Sequence, residues 1–267
     1  MNFSDLDIYD SIVHPNKTGE WFGQNKGNTF ESTAKDLKDN KIVGANSISL
    51  PYLSLAELEE FYKLSVTQEI YLYPVAAING DEEDLIKKIS QIKEIGYKAI
   101  KLHIRLSNLD LDLDFQKIEL IFKLCEKFNL IVFFCTYYHS SIKSYPLYSL
   151  KHYLVKLLKG SPKVKIVLLH GGDFELMNLV QLARFNSNIL IDLSYTFIKF
   201  RNSSLETDIK YLLNNFDKRI CFGSDYPDYS ISEFKENLEY YFKFVNDKDK
   251  IKGIAAYNCM NFLEINR

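Results

Sequence analysis

Short apolar segments rich in β-forming residues recur along this chain at a nearly constant interval. They read IYDSIVH (8–14), KIVGANSISL (41–50), IYLYPVAAI (70–78), AIKLHI (99–104), LIVFFCT (130–136), VKIVLLH (164–170), ILIDLSY (189–195) and RICFGSDY (219–226), and their starts lie 33, 29, 29, 31, 34, 25 and 30 residues apart. A step of about 30 residues is the length of one βα unit. Between the segments run stretches with apolar residues three and four positions apart, among them 54–64, 81–96, 114–128 and 232–245, which predict helices. Asp81, Glu82 and Glu83 are expected to open the second of these, where the helix dipole favours negative charge, and Gly96 to cap its end. Strands that are apolar on both faces and alternate with helices predict a parallel sheet covered by helices. Eight such units fill the 267 residues, so the expected fold is a single (β/α)8 TIM barrel domain over 1–267. The alternative, an open doubly wound sheet, calls for a Gly-rich phosphate loop after the first strand. That stretch reads HPNKTGEWFG (14–23) and contains no such loop.

Composition narrows the function. Lys and Arg total 33 against 35 Asp and Glu, a formal net charge of −2, with the basic residues spread along the chain. Nucleic acid is therefore not an expected partner, since binding it needs a basic patch to neutralise phosphates. No stretch approaches the roughly 20 apolar residues of a membrane span, and the acidic opening MNFSDLDIYD is unlike a secretory signal. The expected location is cytoplasmic. Cys125, Cys135, Cys221 and Cys259 lack the paired spacing of a zinc ribbon or redox motif, and free thiols are expected.

Catalytic groups of a barrel sit at the C-terminal ends of the strands. Here those ends carry His14, His103, Cys135, His170, Ser194 and Asp225, with Lys101 two residues before His103 on the same strand face. One histidine at a strand end is usually structural. Three, with a Cys and an Asp at two further ends, point to a site, because burying that many polar groups without a task is costly.

Several of these segments resemble the amidohydrolase family 2 group of metal-dependent hydrolases and decarboxylases. VLLHGG (167–172) is similar to its sixth strand, IDLSY (191–195) to its seventh and RICFGSDYP (219–227) to its eighth; GYKAIKLH (96–103) is similar to the fourth, and IAAYNCMNFLEI (254–265) to the closing helix with Asn258. The resemblance implies one divalent metal, usually zinc, held by an H-x-H on the first strand, a fifth-strand His and the eighth-strand Asp, with the sixth-strand His as an acid/base group. Carried over, the second His matches His14, the sixth-strand His matches His170, and the Asp matches Asp225. Ile12 and Cys135 stand where two other histidines belong.

Cys135 remains a chemically competent zinc ligand and Ile12 does not, which leaves His14, Cys135 and Asp225 as the implied metal ligands. With metal, the resemblance implies that Asp225 takes the proton of a bound water and His170 polarises a carbonyl, hydrolysing a C–N, C–O or activated C–C bond; decarboxylation is open with the same parts. Without metal, Lys101, His103, His170 and Asp225 suffice for proton transfer, and Cys135 becomes a candidate nucleophile if a nearby cation lowers its pKa. A ligand-binding barrel without catalysis also stays open. The expected partner is a small-molecule substrate, contacted by Lys101, His103, Arg105, Trp21, Tyr137 and His139, and a homodimer is expected by analogy with the family.

Overall fold

The computed structural model describes residues 3–137 and 145–265. Eight strands lie in one sheet in chain order: β1 (Ile8–Val13), β2 (Ile42–Ile48), β3 (Tyr71–Ala77), β4 (Ala99–Leu102), β5 (Ile131–Cys135), β6 (Ile166–Leu169), β7 (Ile189–Asp192) and β8 (Ile220–Cys221). Each falls inside one of the eight predicted segments. The helices between them include α1 (Phe30–Asp39), α2 (Leu55–Val66), α3 (Leu85–Ile95), α4 (Phe115–Phe128), α5 (Leu150–Gly160) and α6 (Leu176–Arg184). This order of parallel strands and helices is that of a (β/α)8 barrel. Among the described residues no helix is long and apolar enough to cross a membrane.

Local sequence explains where the helices start and stop. Asp84, not the acids before it, caps α3 by accepting the Lys87 N–H; Asp81, Glu82 and Glu83 precede the helix. Gly96 ends α3 with φ of 119°, a conformation open to glycine and costly for any other residue. Helix α4 buries Ile118, Ile121, Phe122, Leu124 and Cys125, the three- and four-residue spacing of one helix face. At about 1.5–3 kcal/mol for each large apolar side chain removed from water, that face holds the helix to the sheet.

Contacts divide the chain into two compact units: Met1–Ile48 with Leu64–Tyr73 and Leu190–Arg267, and Ser49–Lys63 with Pro74–Ile189. The first contains β1, β2 and β8 and the seam between the first and last strands. There Ser11 N–H bonds the Phe222 carbonyl (3.1 Å), Asp225 N–H that of Ile12 (3.1 Å), and His14 N–H that of Tyr226 (2.8 Å). The second contains β4, β5 and β6 in continuous parallel register, with Leu102 opposite Phe134 and Cys135 opposite Leu169. Phe234, Tyr241 and Phe242 of the helix Ile231–Phe242 are buried, the first two against Phe197.

Candidate active site

In the first unit, β1 and β8 run side by side and deliver His14 and Asp225 to neighbouring places. His14 Nε2 lies 3.5 Å from Asp225 Oδ1, and both residues are buried. The other ring nitrogen, Nδ1, is 3.0 Å from the Ile48 carbonyl. A carbonyl only accepts, so Nδ1 carries the hydrogen and Nε2 is the nitrogen that faces the carboxylate. Asp225 has φ of 58°, an uncommon conformation for a residue with a side chain, and holds it where the strand has ended.

Trp21 closes one side of this pair. Its indole stacks on His14 with ring centroids 4.7 Å apart and an interplanar angle of 25°, and its Nε1 donates to Asp228 Oδ1 at 3.0 Å. It belongs to a short hairpin, Glu20–Trp21 paired with Gln24–Asn25, whose turn holds Phe22 at φ of 48° and Gly23 at 76°. Phe22 packs edge-on against Trp21 and is 65% exposed.

Beneath lies a buried polar layer. Asp192 accepts hydrogen bonds from the hydroxyls of Ser11 and Ser194, and Asp10 Oδ1 accepts the N–H groups of Ile12 (3.2 Å) and Ser224 (2.9 Å). Asp10 Oδ2 is buried and has no hydrogen-bond partner among the described residues. Burial is the main reason the Asp10 carboxyl is pushed up to about 7; its bonds to Ser224 and Ile12 oppose the shift and the Asp192 charge adds to it.

In the second unit the parallel register brings together three residues from three strand ends. Leu102 is level with Phe134 and Cys135 with Leu169, so His103 follows at the height of Cys135 and His170 one residue beyond it. Thr136 locks the turn after β6: its hydroxyl donates to the Leu169 carbonyl and accepts the Gly172 N–H at 2.7 Å. His170, Gly171, Gly172 and Asp173 all have positive φ. His103 Nδ1 accepts the Leu106 N–H at 3.3 Å, so the ring hydrogen of its neutral form is on Nε2. Burial alone would raise the Cys135 thiol, but the charges and hydrogen bonds of His103 and His170 together hold it well below the usual thiol range. Burial pushes the thiols of Cys125 and Cys221 up instead. All four cysteines are free and buried.

The remaining predicted contacts divide. Lys101 is buried on β4, Tyr137 lies edge-on to His170 with centroids 5.9 Å apart, and Arg105 is exposed on the turn after His103. His139 lies outside the described residues. Sequence reasoning did not single out Asp228 or Asp10. An Asp inside the largely apolar β1 was the available signal for the second; Trp21 and Asp228, 207 positions apart, offered none for the first.

The implied metal does not fit these side chains. His14 and Asp225 supply two donors, Ile12 supplies none, and Cys135 is engaged by His103 and His170. Among the described residues no group of three or more His, Cys, Asp or Glu is arranged to hold a metal ion.

A family profile described as Amidohydrolase matches residues 69–233. Comparison with curated proteins finds no match. Among solved structures, an uncharacterised TIM-barrel protein of Bordetella bronchiseptica superposes with a TM-score of 0.73 at 16% identity, covering 97% of this chain and 99% of that one. The 5-carboxyvanillate decarboxylase of Sphingomonas paucimobilis gives 0.68 at 10% identity, over 98% and 100% of the two chains. Dihydroorotase of Campylobacter jejuni gives 0.68 at 13% identity, over 98% and 84%. At these identities the structures speak for the fold, whereas the profile spans more than half of the sequence: the chain belongs to the amidohydrolase family.

Proposed function

We propose that this protein is an enzyme that hydrolyses a C–N, C–O or activated C–C bond of a small carbonyl- or carboxylate-bearing metabolite, with Asp225 as general base and His170 as electrophile or acid. The observation that carries the proposal is the His14–Asp225 pair. Asp225 accepts the proton of an attacking water. His14 Nε2, with Nδ1 committed to the Ile48 carbonyl, is the next acceptor in line, so the base is regenerated without rotation of either side chain. Trp21 holds the imidazole in plane and limits its contact with solvent. Support for His170 comes from its φ of 65° on a turn locked through Thr136, which fixes the ring at the end of β6.

No step is drawn through a metal, because the donor set does not fit one. Decarboxylation is the second reading, and a decarboxylase is among the similar folds. The test is a screen of small amides, esters, lactones and aromatic acids, followed by Asp225→Asn on the substrate turned over. Loss of a general base lowers kcat/KM by roughly 10²–10⁴-fold. An Asp225→Asn variant with more than about a tenth of the parent kcat/KM would refute the assignment.

A further inference from the structure

The His14–Asp225 pair joins side chains from two strands, so its separation depends on how the chain beyond β1 is tied to the chain beyond β8. Asp225 N–H donates to the Ile12 carbonyl at 3.1 Å, and the neighbouring peptides are held as well: Ser224 N–H donates to Asp10 Oδ1 at 2.9 Å and Tyr226 N–H to Ser224 Oγ at 2.9 Å. Asp10 Oδ1 also accepts the Ile12 N–H at 3.2 Å, two residues before His14. One oxygen of a fully buried side chain therefore grips both the stretch that leads to His14 and the stretch that leads to Asp225. Gly223 leaves room for it. A Cβ there would lie 2.9 Å from Asp10 Oδ1 and would collide with the Ser11 hydroxyl, which is itself bonded to Asp192. The other oxygen of Asp10, Oδ2, has no hydrogen-bond partner among the described residues, and burying a carboxyl in that way is costly. Local costs of this kind are expected where a residue serves a site rather than the fold.

We propose that Asp10 is a positioning residue that sets the separation of His14 and Asp225 through the Ser224 and Ile12 N–H groups, with Gly223 as the gap through which its carboxyl reaches Ser224. The kinetic consequence rests on the reading of Asp225 as general base; the placement of the His14 ring does not. Without the Oδ1 acceptor the Ser224 peptide loses its fixed bond, and Asp225, held at φ of 58°, relaxes towards a commoner conformation. Its carboxylate then moves from His14 Nε2. Three variants separate this placement from the loss of a charge. Asp10→Asn keeps the acceptor, Asp10→Ala removes it, and Gly223→Ala keeps the carboxyl in the chain but displaces it.

The experiment follows the histidine rings of the whole protein by nitrogen–proton correlation NMR at about pH 8, where an ordinary imidazole is neutral. The chain has five histidines, and the His14 signals are those missing from His14→Gln. In the parent they should report a hydrogen on Nδ1, the nitrogen that faces the Ile48 carbonyl. Asp10→Asn should leave them in place. Asp10→Ala and Gly223→Ala should shift them or divide them between the two tautomers, with the signals of the other four histidines unmoved. On the substrate turned over, kcat should stay within about threefold of the parent in Asp10→Asn and fall about 10–100-fold in the other two with little change in KM, as a misplacement of about 1 Å predicts. Unchanged His14 signals in folded Asp10→Ala, equal losses of kcat in Asp10→Asn and Asp10→Ala, or movement of all five histidines alike would overturn the proposal. Should Asp10→Ala fail to fold, Gly223→Ala is judged by the same signals. Full activity in Asp225→Asn would sink the general-base reading and leave the His14 signals as the test of this one.

Discussion

Replacing Asp10 with asparagine probes the polar layer under the His14–Asp225 pair. Oδ1 of Asp10 takes the Ile12 and Ser224 N–H groups, an acceptor that asparagine keeps, whereas Oδ2 is buried and has no partner among the described residues. A carboxyl that titrates at about 7 in the folded chain and at 3.8 when free stays protonated in the native state over a range where the unfolded chain has ionised. Unfolding then releases a proton, so stability is highest below the unfolded value and falls as pH rises towards 7. At about 1.4 kcal/mol per pH unit the full loss is about 4 kcal/mol, of which roughly 2–3 kcal/mol falls between about pH 5 and 8. Asparagine cannot ionise, so this slope disappears. Its buried amide N–H groups cost about 1–3 kcal/mol without an acceptor, making the variant less stable than the parent near pH 5. Near pH 8 the parent has lost its advantage and the two become similar, or the variant is ahead. Urea midpoints followed by circular dichroism at four pH values give the measurement. A parent and variant whose midpoints move in parallel from pH 5 to 8 would refute the reasoning, because Asp10 would then carry no linked proton.

Three further outcomes follow from the geometry. Gly172 has φ of 79° and a Cβ there would lie 2.5 Å from Leu179 Cδ1, so Gly172→Ala should lose at least about 2 kcal/mol of stability, read as a lower thermal midpoint. Tyr97, fully buried, donates from its hydroxyl to the Leu58 carbonyl at 2.7 Å; Tyr97→Phe should cost about 1 kcal/mol in urea denaturation, and no change would mean that the bond contributes nothing. Elemental analysis of protein purified without chelator should show less than about a tenth of an equivalent of zinc, manganese or iron, because Ile12 offers no donor and the His14–Asp225 pair fills only half of a tetrahedron; a full equivalent would contradict the donor-set argument.

The eight strands were legible because almost all of their residues are buried, so most of them read as largely apolar runs that contrast with the helix on either side. The α3 boundary was less so. Three acids at 81–83 imitate a first helical turn, but the cap is decided by which carboxylate meets the Lys87 N–H, and that is Asp84. The hairpin over His14 has only two residues in each strand, too few for any alternation to show. His152 on α5 is half-buried against Tyr148, a contact the helical pattern does not show, because that ring comes from just ahead of α5 and stacks on it at 4.5 Å. Of the candidate site, the strand-end positions were readable from period two. Their pairing was not. That His14 would meet Asp225 and that Cys135 would meet His103 and His170 depends on sheet register, a property of neighbouring strands that no single segment carries.

The chain contains one tryptophan, and it is the ring lying on His14. All indole emission from this protein therefore originates at a single point of contact with the His14–Asp225 pair. An imidazolium quenches a stacked indole more strongly than a neutral imidazole does, and a ligand that parts the two rings relieves the quenching. Without any label, the intensity of the natural protein is an optical gauge of what happens at His14. A compound library can be screened by that signal before a single substrate has been identified.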